Sequence, residues 1–61
     1  MNASELKRIR KSLGLSQVNF GAAIGRSEWQ IIRYEKGTAA ITPLIERAVR
    51  DLVREHKEAA E

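Results

Sequence analysis

The chain has no cysteine, one proline, one histidine and a single residue of each aromatic type among its 61 residues. Without cysteine it can form neither disulfides nor thiolate metal sites. A lone His56 cannot make a zinc site by itself. No apolar run approaches the roughly 18 residues of a membrane span, and no apolar signal segment opens the sequence. One small core is all that this length supports, and a catalytic cleft usually needs more walls than such a core supplies. No nucleophile, acid–base pair or metal cluster stands out. The expectation is a cytoplasmic, non-enzymatic protein with no metal, cofactor, small-molecule ligand or membrane partner.

The charge is modest and unevenly placed. Residues 1–36 hold seven Lys/Arg against three acids, and residues 37–61 hold four against five. A basic front half suits a polyanionic partner. Many small domains share such a balance, so the positions of the residues must carry the argument.

Four helices are predicted, with a single domain over 1–61. The first runs from about Ser4, as N-cap, to Leu13, with Leu6, Ile9 and Leu13 along one stripe and Gly14 as its stop. The second runs from about Gln17 to Ile24, capped by Ser16. Leu15 and Phe20 stand in staple positions, and Phe20, Ala23 and Ile24 form the inward face. Gly21 and Ala22 are small enough for close helix approach, and Gly25 is the turn. The third runs from about Glu28 to Lys36. Ser27 and Gln30 fit a capping box, Ile31 and Tyr34 face inward with Glu35 beside them, and Gly37 ends it. Thr42-Pro43 is an N-cap followed by a proline suited to a first helical turn. The amphipathic helix after it spans 43–57. Its stripe is Ile45, Ala48, Val49, Leu52 and Val53, with Leu44 at one edge, and Glu46 and Arg50 form an i,i+4 pair.

Residues 16–37 thus read as two short helices joined at a tight glycine corner. Such a corner can push one helix into the major groove of DNA. Residues 5–37 resemble the helix-turn-helix domain of the phage lambda Cro and repressor family. The matching pieces are Leu6-x-x-Ile9-Arg10, Leu13-Gly14-Leu15-Ser16-Gln17, Phe20-Gly21-x-x-Ile24-Gly25 and Ile31-x-x-Tyr34-Glu35-x-Gly37, together at the right spacing. The implied fold is an all-α lambda-repressor-like domain of four helices, or five. The tail from Ile41 resembles, more loosely, small regulators of mobile elements such as antitoxins and anti-CRISPR-associated repressors. Three features depart from the family pattern. Gly21 replaces the more usual alanine, which would loosen the second helix by up to about 1 kcal/mol. Phe20 replaces a smaller aliphatic residue. Trp29 and Ile32 stand on the outer face of the third helix, where polar residues are more usual.

The resemblance implies that Gln17 and its helix N-terminus hold a DNA phosphate, and that Arg10 and Glu35 form a buried ion pair. The alternatives are an ordinary first-turn glutamine and two unrelated surface charges. With Ile31 and Tyr34 inward, Ser27, Glu28, Trp29, Ile32 and Arg33 face out as base readers. Arg33 suits guanine O6 and N7, and Glu28 suits a cytosine amino group or the orientation of Arg33. Trp29 and Ile32 suit thymine methyls or sugars, while a boundary position beside the core is the plainer reading of Trp29. Arg26, Gln30, Lys36 and Lys7 or Arg8 are candidates for phosphates, or else solvated surface.

One helix reads few base pairs, so dimerisation is expected, with Leu52, Val53 and His56 at the interface. His56 reads as a stripe residue rather than a switch or ligand. The expected function is a transcriptional repressor binding a palindromic operator in double-stranded DNA as a homodimer. A protein-interaction module of the same fold, of antitoxin or adaptor type and without DNA binding, is the alternative.

Overall fold

The computed structural model describes the backbone of residues 1–60 and the side chains of residues 1–57. Among them run four helices, α1 (Ala3–Ser12), α2 (Gln17–Ile24), α3 (Glu28–Lys36) and α4 (Pro43–Ala60), with no fifth and no strand. Four apolar stripes meet in one core. Leu6 comes from α1, Phe20 from α2, Ile31 and Tyr34 from α3, and Ile45 and Val49 from α4, all buried. Ile9, Leu13, Leu15, Ile24, Ala39, Ile41 and Leu52 pack around this centre. Phe20 is the largest fully buried side chain. It fills the space between helices too short to be stable alone, whose stability comes from packing their apolar faces.

Sequence signals and helix ends agree at three starts. Ser16 accepts from the Asn19 N–H at 3.1 Å, Ser27 from the Gln30 N–H at 3.3 Å and Thr42 from the Ile45 N–H at 3.3 Å. The Ser27 cap works in one direction, with no return bond from the Gln30 side chain among the described residues. At α1 the cap is Asn2, not Ser4. Its Oδ1 accepts from the Glu5 N–H at 2.8 Å, and Ser4 lies inside the helix. Asn2-x-x-Glu5 competes for the same turn, and asparagine is at least as strong a cap as serine.

Two expectations for α2 are corrected. Ala23 and Ala22 are exposed, and the inward face is Phe20, Gly21 and Ile24. Gly21 also does more than leave room. A Cβ there would stand 2.5 Å from the Arg26 carbonyl oxygen, 3.2 Å from that of Ser27 and 3.3 Å from Ile31 Cγ1. The turn between α2 and α3 folds back onto this glycine, and the Arg26 N–H donates to the Gly21 carbonyl at 2.7 Å. Glycine is therefore required for close backbone approach, whatever it costs in helix propensity.

α4 continues to Ala60 instead of ending near residue 57. At 1.5 Å per residue its 18 residues span about 27 Å, nearly twice the length of any other helix. Ile45 and Val49 reach the core. Leu52, expected at the dimer interface, is half-buried against the core. Val53 is half-exposed and His56 exposed, so the apolar stripe loses its cover about a turn later than expected. No described helix is long and apolar enough to cross a membrane.

Candidate nucleic-acid interface

The corner between α2 and α3 is set by three residues. Gly25 takes a φ of +74°, a conformation open to glycine at little cost. Arg26 turns the chain, and Ser27 caps the next helix. α3 then packs extensively on α2 and also against α1. Its far end is closed by Gly37, after which the Thr38 N–H donates to the Arg33 carbonyl at 3.0 Å and the Thr38 hydroxyl to the same oxygen at 3.2 Å. Both ends of α3 are thus tied down, and its outer face is held in a fixed orientation.

A polar cluster anchors the inner side of that helix. Arg10 Nε donates to Glu35 Oε2 at 2.6 Å and Arg10 Nη2 to Glu35 Oε1 at 3.1 Å. The two side chains are 12% and 5% exposed. Arg10 Nη1 donates to the Leu15 carbonyl at 3.0 Å, and Gln17 Nε2 to Glu35 Oε1 at 3.3 Å. One cluster therefore joins α1, the α1–α2 loop, the start of α2 and the end of α3. The family resemblance paired Arg10 with Glu35, but sequence reasoning missed that Gln17 joins them. No local pattern reports a contact spanning 18 residues, and only the packed fold brings Gln17 to Glu35.

The outward face of α3 follows from what is buried. Ile31 and Tyr34 point into the core and Glu35 into the polar cluster, which leaves Trp29, Arg33 and Lys36 on the opposite side. All three are exposed, at a spacing of i, i+4 and i+7. Trp29 is 70% exposed, so it is not a boundary residue beside the core. Ser27 and Gln30 are exposed, while Glu28 and Ile32 are half-buried at the flanks. Glu28 has no hydrogen bond or ion pair with Arg33. Arg26 is half-buried and its Nη1 donates to the Gly25 carbonyl at 3.3 Å, across the corner. Lys7 and Arg8 are exposed on α1.

At the start of α2, the first N–H groups have no partner inside the helix, as at any helix N-terminus. Gln17 sits on this end, half-buried, with its amide held by Glu35. An amide nitrogen carries two hydrogens. One is engaged by Glu35, and the other remains available to an anion.

A shallow groove along the outer face of α4 is lined by Pro43, Glu46, Arg47, Arg50, Asp51 and Arg54. Its charges are largely paired within the helix, Arg50 with Glu46 at 2.8 Å and Arg54 with Asp51 at 2.7 Å. It brings no acid–base pair to bear on an enclosed space.

Residues 6–45 match the helix-turn-helix family, about two thirds of the chain. No curated protein and no solved structure shows a significant match. The matched stretch runs from the buried Leu6 of α1 to the buried Ile45 of α4 and contains the whole corner, its anchoring cluster and its outward face. With that architecture and that match, the chain belongs to the Cro/repressor type of the helix-turn-helix family, whose domains are DNA-binding regulators.

Proposed function

We propose that the protein is a sequence-specific transcriptional repressor whose α3 enters the major groove of double-stranded DNA. The observation that carries this reading is the exposed face of α3, with Trp29, Arg33 and Lys36 standing opposite Ile31 and Tyr34 on a helix anchored at both ends. Ser27, Glu28, Trp29, Ile32 and Arg33 are the proposed base readers. Arg33 is the residue for guanine, because a guanidinium matches O6 and N7 together. Gln17, Arg26, Gln30, Lys36 and Lys7 are the proposed phosphate contacts, which set register without reading sequence.

The operator is proposed to be palindromic and the protein a homodimer on it. A single recognition helix reads too few base pairs to be selective, and two copies on half-sites one helical turn apart solve this. Leu52 packs on the core, and the half-exposed Val53 and exposed His56 beside and beyond it support an interface there. Selection of bound duplexes from a random pool tests the proposal. Enrichment of an inverted repeat supports it, and enrichment of a single half-site argues for a monomer. No enrichment favours the second reading, a protein-interaction module of antitoxin or adaptor type, for which the exposed Trp29 indole would be the contact.

A further inference from the structure

Only three large apolar side chains are strongly exposed among the described residues: Val18, Trp29 and Leu44. Trp29 is the most exposed of them. It lies in the first turn of α3, directly opposite the arc of Ile31, Tyr34 and Glu35. A side chain there points to the floor of a groove that α3 enters, not to its sugar-lined rim. Ile32, three residues on, adds apolar surface to the same side. Arg33 and Lys36 flank the indole with positive charge, and the nearest acid, Glu28, is half-buried at the edge. An apolar plate framed by cations suits a polyanion such as nucleic acid, and it does not suit a basic protein pocket.

The apolar group that the floor of the major groove offers is the 5-methyl of a pyrimidine. We propose that Trp29, flanked by Ile32, is a specificity residue that reads a pyrimidine 5-methyl group, so that the protein responds to the methyl itself and not only to the base pair. The inference rests on the DNA-binding reading above. It also goes beyond it, because thymine and 5-methylcytosine carry the same methyl at the same place. Binding at one position per half-site should then depend on cytosine methylation.

The test uses duplexes enriched from a random pool, with each thymine replaced in turn by deoxyuridine. Wild-type protein should bind about four-fold more weakly when the critical methyl is removed, the effect of losing one buried methyl group. At the same position, a 5-methylcytosine·guanine pair should bind more tightly than an unmethylated one. Trp29→Ala, at an exposed site, should keep its helix content by circular dichroism and bind thymine and deoxyuridine duplexes equally. Lower salt keeps its weakened binding measurable. Wild type indifferent to every deoxyuridine replacement would overturn the inference while leaving DNA binding intact. A methyl effect that persists in Trp29→Ala overturns the assignment to Trp29. Failure to enrich any duplex removes the DNA-binding reading itself and this inference with it.

Discussion

The Arg10 guanidinium grips the Glu35 carboxylate through two nitrogens, at 2.6 and 3.1 Å, across 25 residues of sequence. This bidentate pair is nearly buried, and its remaining groups reach Leu15 and Gln17. The helix proposed to face the bases and the proposed phosphate contact are therefore held by one cluster.

The pair makes each partner hard to remove alone. Loss of one side chain leaves a nearly buried charge without its counterpart, at about 3–5 kcal/mol. A domain of this length is stable by roughly 3–9 kcal/mol, taking the usual stability per residue. Glu35→Leu is expected to lose a large share of that stability, and Arg10→Met with Glu35→Leu together to recover much of the loss. Urea denaturation in a double-mutant cycle measures this, and a coupling near zero would show that the pair contributes little.

Gly21→Ala should destabilise the fold even though it improves helix propensity. Alanine gains about 1 kcal/mol over glycine inside a helix. The added methyl, however, meets the Arg26 carbonyl at 2.5 Å, a backbone atom that cannot swing away. Overpacking of this kind costs about 1–3 kcal/mol, so the net effect is a lower melting temperature. A variant that melts higher than wild type would mean the turn relaxes at no cost.

Arg33→Ala and Gln17→Ala should fail differently on DNA. Losing Arg33 is expected to cost about 1–3 kcal/mol on the preferred site and to relax preference at one base pair per half-site. Losing Gln17 should weaken all sequences by the same factor. Titrations on preferred and scrambled duplexes separate the two, and an equal loss on both for Arg33→Ala refutes its role.

Binding should be strongly salt-dependent. Six of the seven basic residues in positions 1–36 are free of the Glu35 pair. Each phosphate that one of them neutralises releases counterions, so log K should fall linearly with log salt. Affinity that stays flat from low to physiological salt is incompatible with the proposed interface.

Val53→Glu should leave the monomer folded, because Val53 is half-exposed and outside the core, and should abolish dimerisation on a palindromic site. Leu52 is unsuitable for this test, since it packs against the core. Sedimentation at tens of micromolar gives the answer. A wild type that is monomeric both free and on DNA rules the dimer out.

The four helices, three of their four N-caps and the six core residues were legible from the chain alone. Apolar spacing and capping chemistry are local, and they act through residues three or four positions apart. The exposure of Trp29 and Arg33 followed in the same way, because naming Ile31 and Tyr34 as buried leaves few alternatives for them, whereas Glu28 and Ile32, also expected to face out, are half-buried. Asn2 was missed because two competent caps lie within three residues, and local chemistry does not choose between them. Gly21 looked like a weakness within α2, and only the return of the Arg26 carbonyl onto it shows that no larger residue fits. Leu52 was placed at the dimer interface and not on the core because the reach of one helix over another depends on how they cross. The Arg10–Glu35 pair was implied by the family resemblance, but that Gln17 joins it was decided by tertiary structure alone. The chain by itself determined which faces must be buried, because hydrophobic periodicity is written residue by residue. The packed fold decided which polar groups share one buried site, because that depends on distances that close only when all the helices are in place.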